Sequence, residues 1–236
     1  MDKIIREFGQ KGDHFIVSPH ELKEKLKSIK AFIFDWDGVF NTGEKNEQGS
    51  SPFNEVDSMG INMLRFSYWL SKQYMCTTAI ISGEKNKASF QLSSREHYHS
   101  CYYKIADKAE ALDHFCKHHK LIPSEVAFVF DDVLDLSIAK ICGLRMLISR
   151  KGPSLFREYV LQNNLADYMT HACSGETAVR EVCELVMGLN QSFDQALDGR
   201  ILLSDDYKTY LHRRNQIETQ YFTVDRNNLI ALKPDF

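Results

Sequence analysis

Ala31-Phe32-Ile33-Phe34-Asp35-Trp36-Asp37-Gly38 sets four apolar residues directly against two carboxylates and a glycine. A continuous apolar run of this length marks a strand covered on both faces, as strands of parallel sheets are. Working outward, similar runs recur at Thr77–Ile81, Val126–Phe130 and 144–148, with a shorter strand at 167–169. Helical spacing predicts helices at 61–70, 107–119, 134–141, 155–161 and 178–187. Strands alternating with helices give an α/β fold, a doubly wound parallel sheet. Ligands of such sheets gather at the carboxyl ends of the strands, where Asp35 and Asp37 stand.

Upstream, Ser18 and Glu21 form a capping box, Pro19 suits the first helical position, and Leu22 and Leu26 share a face, so a helix starts at Ser18. Residues 1–17 show no period and are expected to form a loose N-terminal arm. The core is expected over 18–189. Within it the polar stretch 41–57, with Gly43, Gly49 and Pro52, reads as a β-hairpin flap at about 40–57. From Asn190 the pattern becomes irregular, and 190–236 reads as a C-terminal tail whose Tyr207, Tyr210, Tyr221 and Phe222 are packing residues.

Hydrophobic residues at 43% and charged residues at 26% exclude a wholly disordered chain. A net charge of -3, with no excess of Lys and Arg in the tail, gives no reason to expect nucleic acid as a partner. The first residues lack a basic-then-apolar leader, and no apolar run approaches the ~18 residues of a membrane span. The expectation is a cytoplasmic protein with no membrane partner. Six cysteines without a C-x-x-C pair read as core thiols. His114 and His118 lie four apart on a helix but lack a third ligand, so zinc is not expected there.

The chemistry lies where the strands end. Val126–Phe130 runs into Asp131-Asp132, with Asp135 soon after, so two strands finish in carboxylates. Adjacent parallel strands would bring Asp35, Asp37 and Asp131 to one rim, a set of hard oxygen donors suited to Mg²⁺. Ser82 and Gly83 end a third strand with a hydroxyl and backbone donors for a phosphate, and Lys108 opens a helix with a cation.

In order and kind, Asp35-Trp36-Asp37-Gly38, Ser82, Lys108 and Asp131-Asp132 resemble the motifs of haloacid dehalogenase superfamily phosphatases. The resemblance implies that Asp35 is the nucleophile forming an aspartyl-phosphate and Asp37 the general acid/base. Ser82 would bind the phosphoryl group and Lys108 neutralise its charge. Mg²⁺ would be held by Asp35, the backbone carbonyl of Asp37 and Asp131, with Asp132 supporting the metal and Asp135 orienting Lys108.

A closer likeness lies in Phe34 to Phe40, Phe53-Asn54 with Asp57 and Gly60-Ile61, Asp107-Lys108 with Ala111-Leu112, and Ala178-Val179-Arg180-Glu181-Val182-Cys183. Over about residues 30–188 the chain is similar to the capless 3-deoxy-D-manno-octulosonate 8-phosphate phosphatases. This implies a small-molecule sugar phosphate as substrate and no cap domain. It also implies a homotetramer in which flap hairpins build a barrel and a neighbour helps close each site. Four features depart from that pattern: Phe130 replaces a glycine and would crowd the turn before the acidic pair, Trp36 is bulkier than usual, and the segment before Ala178 reads Ser174-Gly175-Glu176-Thr177. The fourth is Glu84-Lys85 after Ser82-Gly83, similar to relatives acting on 9-phosphates of nonulosonates; Glu84 would contact sugar hydroxyls.

The expected function is Mg²⁺-dependent hydrolysis of a phosphate monoester of an acidic keto-sugar. A module that keeps the fold but has lost turnover is the alternative. A nucleotidyl-sugar transferase would leave Lys108 and the Asp131-Asp132 pair without a role.

Overall fold

Four apolar side chains in succession leave Ala31–Phe34 no face to give to water, and the strand they form, β1, sits inside an eight-stranded sheet. The computed structural model describes residues 2–9, 14–47, 49–226 and 228–234. Two helices, α1 (Asp2–Gly9) and α2 (Pro19–Leu26), precede β1, and α3 (Glu55–Lys72) follows it. Then come β2 (Thr77–Ile81), α4 (Lys87–Arg95), β3 (Ser100–Tyr102), α5 (Lys108–His119), β4 (Val126–Phe130) and α6 (Leu136–Ala139). The chain continues through β5 (Leu144–Ser149), α7 (Leu155–Gln162), β6 (Tyr168–Cys173) and α8 (Ala178–Leu189). Last are α9 (Phe193–Ile201), α10 (Asp205–Arg214), β7 (Gln220–Asp225) and β8 (Asn228–Ala231).

The strand order is β6-β5-β4-β1-β2-β3-β7-β8, all parallel except β8, which pairs antiparallel with β7. Because side chains alternate across a strand, Phe32 and Phe34 join one core with α3 and α8, while Ala31 and Ile33 join a second with α5 and α6. Helices therefore cover both faces, and the expected doubly wound α/β architecture is the one found.

Three expectations are corrected. The N-terminal arm is not loose over its described residues: α1 buries Ile4 against α8, and Ile16 and Val17 both donate to the carbonyl of Asp167. Met1 and residues 10–13 lie outside the described residues.

The expected hairpin flap reverses direction, with Asn46 N donating to Ser50 O (2.9 Å) and Gly49 N to Asn46 O (2.8 Å), but its described residues form no strand. Lys45 and Ser51 of this loop reach the carboxylate of Asp37 instead; Gln48 lies outside the described residues.

The tail is the largest surprise. Its α10 lays Tyr207 and Tyr210 on Phe66 of α3, with ring centroids 5.0 and 5.3 Å away, and β7 extends the sheet alongside β3. These aromatics are packing residues, as expected, but of an ordered element. Short polar-flanked strands give no apolar run to read. Residues 227, 235 and 236 of the tail lie outside the described residues.

Just before β3, half-buried His99 accepts a hydrogen bond at Nδ1 from Thr78 N (3.1 Å), so protonation there would break it. Burial, then the charge of Arg65 and the nearby His119, push its pKa down to about 3. In the unfolded chain a histidine titrates near pH 6.5. As pH falls below that value the unfolded state takes up a proton that the folded state refuses, so stability is lost progressively towards pH 3. By linkage the loss is about 2 kcal/mol at pH 5. Urea unfolding of His99→Gln is expected to show a smaller drop in stability between pH 7 and pH 5 than the parent, by roughly that amount.

Candidate active site

The sheet reverses its winding at β1. From it the chain builds outward through β2 and β3 on one side and through β4, β5 and β6 on the other. A crevice opens at the carboxyl ends of the strands at such a switch point. Asp35 N donates to Val129 O (3.0 Å), which fixes the residue beyond β1 beside the end of β4.

Asp35 is buried, and its Oδ1 lies 2.8 Å from Nζ of Lys108. Lys108 is the first residue of α5, whose N-cap Asp107 accepts from the amides of Ala109 and Glu110. The same ammonium donates to Asp135 Oδ1 at 2.5 Å. Asp135 uses its other oxygen to accept from the amides of Asp132 (3.2 Å) and Asp131 (3.4 Å), so one carboxylate holds both the lysine and the acidic turn. Burial, followed by the charge of Asp135, raises the Asp35 pKa well above the ordinary carboxylate range despite Lys108. Burial opposes charge on Lys108 too, but Asp35 and Asp135 outweigh it and raise its pKa, so the ammonium form is secure.

Asp131 completes the cluster: oxygens of Asp35, Asp131 and Asp135 lie within 4.8 Å of one another. Arg150 donates to Asp131 Oδ2 through Nε (3.2 Å) and Nη2, and Nη2 also reaches Asp132 Oδ2 at 3.2 Å. Asp131 Oδ1 is buried with no hydrogen-bond partner among the described residues. Burial lifts the Asp131 pKa to about 6, with Arg150 opposing. An orphaned carboxylate oxygen among buried carboxylates is what a divalent cation would satisfy, and the residues present fit one.

Gly38 follows directly. Its φ is +85°, and a Cβ there would collide with the Asp131 carboxylate. Gly38→Ala is expected to push Asp131 aside, weakening divalent-cation affinity measured by calorimetry by at least about 10-fold, the scale on which disturbed ligand support acts. An unchanged affinity would show that Asp131 is not a ligand.

The other expected residues lie around this centre. Asp37 turns its carboxylate to Lys45 Nζ (2.5 Å from Oδ2) and to the hydroxyl of Ser51. Ser51 in turn accepts from Asn86 Nδ2 at 2.8 Å. Ser82 is buried at the end of β2 and accepts from the amide of Glu84 (3.3 Å) around Gly83; the Glu84 side chain is exposed. The altered segment before α8 has a structural task. Ser174 Oγ donates to the carbonyls of Gly38 and Asn41, and Asn41 Oδ1 accepts from Gly38 N and Gly43 N, which locks the loop after β1.

A cavity of about 610 Å³ opens beside this loop, lined by Asp37, Gly38, Asp132, Arg150, Lys151 and Glu176 among others. A larger one of about 710 Å³ runs along β7 and β8, with Glu218 the one carboxylate among its described lining residues, away from the cluster.

Phe130 does not crowd the acidic turn. It stacks on Phe128 (centroids 5.6 Å, planes 4° apart) inside the core on the α5 side, because successive strand residues face opposite ways. Trp36 is buried and stacks on Phe40. His114 bonds Tyr102 and His118 bonds Gln220, so neither is gathered into a metal cluster among the described residues. All six cysteines are free. Sequence reasoning missed Arg150, Lys45 and Ser51. Arg150 had a signal, since it immediately follows a parallel strand; Lys45 and Ser51 depend on how a loop folds and had none.

No protein-family model matches the chain. It is 29% identical over 184 residues to the 3-deoxy-D-manno-octulosonate 8-phosphate phosphatase KdsC of Salmonella typhimurium, spanning 76% of this chain and 90% of that protein. Among solved structures it is similar to a probable YrbI family phosphatase from Pseudomonas syringae pv. phaseolica (31% identity, TM-score 0.65, 77% of this chain and 98% of that one). It is also similar to the 3-deoxy-D-manno-octulosonate 8-phosphate phosphatase of Moraxella catarrhalis in complex with magnesium ion, phosphate ion and KDO (27% identity, TM-score 0.64, 76% and 97%).

Proposed function

The chain belongs to the KdsC-like (YrbI) family of haloacid dehalogenase superfamily phosphatases, and from that premise we propose that it is a Mg²⁺-dependent phosphatase of an acidic keto-sugar phosphate. The observation that carries this reading is the buried Asp35–Lys108–Asp135 chain set against Asp131 with its unpartnered Oδ1. Asp35 and Asp131, with the main chain of Asp37, would hold Mg²⁺, which when bound offsets negative charge on the phosphoryl group and its attacking oxygen.

In this mechanism an Asp35 carboxylate oxygen forms the new P–O bond while the sugar alkoxide leaves. Asp37 gives the leaving oxygen a proton and then takes one from the water that hydrolyses the aspartyl-phosphate. Lys45 and Ser51 hold Asp37 in place. Ser82 and the amides after it receive phosphoryl oxygens, while Lys108 neutralises them from a position that Asp135 fixes. Asp132 steadies the acidic turn.

The substrate is 3-deoxy-D-manno-octulosonate 8-phosphate or a nonulosonate 9-phosphate, with Glu84 meeting sugar hydroxyls. The same reading carries the homotetramer, in which the loop after β1 finds strand partners on neighbouring copies. The same reading makes it a cytoplasmic enzyme. No helix among the described residues is long and apolar enough to cross a membrane.

Phosphate release should be measured with Mg²⁺ on both sugar phosphates and on an aryl phosphate, with and without EDTA. Selective turnover of one keto-sugar phosphate, abolished by EDTA, is the expected result. Silence on all three in folded, Mg²⁺-supplied protein would favour the non-catalytic module.

A further inference from the structure

We infer that Arg150 is the receptor for the substrate's carboxylate, and so a specificity-determining residue. This rests on the proposed acidic keto-sugar substrate and assigns the end of it that the phosphoryl site leaves unaccounted for.

A sugar acid phosphate carries two anions, and the second needs a cation of its own. Around the reacting centre most cations are already engaged. Lys108 is held between Asp35 and Asp135, and Lys45 is spent on Asp37 and Ser51. Glu84, next to Ser82, is itself an anion and would repel a carboxylate. Among the described residues two cations line the 610 Å³ cavity: Lys151, tied to Glu176 at 2.5 Å, and Arg150.

Arg150 is built for the task. Its Nε and Nη2 are fixed on Asp131 and Asp132, while Nη1 has no hydrogen-bond partner among the described residues. Its side chain is 47% exposed and lines the cavity that also contains Asp37 and Gly38. A guanidinium clamped through Nε and Nη2 holds Nη1 in a set direction, so Nη1 can donate a charge-assisted hydrogen bond to a carboxylate oxygen with little further ordering. Asp37, the residue proposed to protonate the leaving oxygen, lines the same cavity, so Arg150 would meet the acid end of a molecule whose phosphate end reaches past Asp37.

The test compares kcat/KM, with kcat and KM resolved, for 3-deoxy-D-manno-octulosonate 8-phosphate, for a nonulosonate 9-phosphate and for an aryl phosphate lacking a carboxylate, the better of the two keto-sugar phosphates serving as the acidic substrate. Wild type, Arg150→Gln and Arg150→Lys are each supplied with Mg²⁺. Arg150 also braces Asp131, so both substrates lose some rate in the variants; the quantity that decides is the ratio between them. In Arg150→Gln the preference for the acidic substrate should fall about 10- to 100-fold, the worth of a charge-assisted hydrogen bond, chiefly through KM. Arg150→Lys should restore part of it.

A preference that survives Arg150→Gln would overturn the assignment and leave Arg150 acting only through Asp131. A wild type with no preference for the acidic substrate would instead remove the substrate reading on which the assignment rests.

Discussion

Asp35→Asn is expected to lower phosphate release by on the order of 10⁴-fold, the scale of removing a reacting group, while leaving the protein at least as stable as before. The amide matches the carboxylate in shape but has no anionic oxygen with which to form the P–O bond. Stability should not suffer, because burial and the neighbouring Asp135 already work against charge at this position. Lys108 keeps its contact with Asp135. Steady-state phosphate release and urea midpoints, measured on the same preparation, check both halves. Residual turnover above a tenth of the parent would place the nucleophile elsewhere.

Lys108→Met should have the opposite profile, losing both activity and stability. The methionine keeps the unbranched shape of the side chain, one atom shorter, but leaves Asp35 and Asp135 facing one another without the ammonium that lies 2.8 and 2.5 Å from them. Breaking a buried ion pair by removing one partner costs about 3–5 kcal/mol. Loss of a preorganised charge at the phosphoryl site costs about 10²- to 10³-fold in rate. Urea unfolding should therefore move well below the parent, and phosphate release should fall at saturating substrate. A stable, active Lys108→Met protein would remove the lysine from the reaction.

These expectations rest on residues that could be read early, and the reasons are physical. Ala31–Phe34 and Val126–Phe130 announce themselves because central parallel strands are apolar on both faces, and the carboxylates that follow them are conspicuous by contrast. Ser100–Tyr102 escaped notice: three residues opening on a serine, with His99 before them and Lys104 close after, make no aliphatic run. The same holds for Gln220–Asp225, whose buried Tyr221 and Phe222 are flanked by polar positions. In the site, Lys108 and Asp131 are legible because an element boundary fixes each of them. The hold of Asp135 on two backbone amides, the Lys45 contact with Asp37 and the grip of Arg150 on Asp131 depend on side-chain reach across loops, which no periodicity records.

The strand pairing of β7 with β3 also bears on how the molecule is made. Until residues 220–225 arrive, the sheet ends at a three-residue strand with open amides and carbonyls, the kind of edge that recruits other chains. During synthesis the segment up to α8 emerges first and can assemble the cluster around Asp35, yet it waits for some thirty further residues before its border is sealed. In chain order, the elements that carry the Asp35 cluster thus precede the strand that seals the sheet's border. A pause in translation after α8 would leave nascent chains in which the site is formed and the margin is bare, the state for which chaperones compete with self-association.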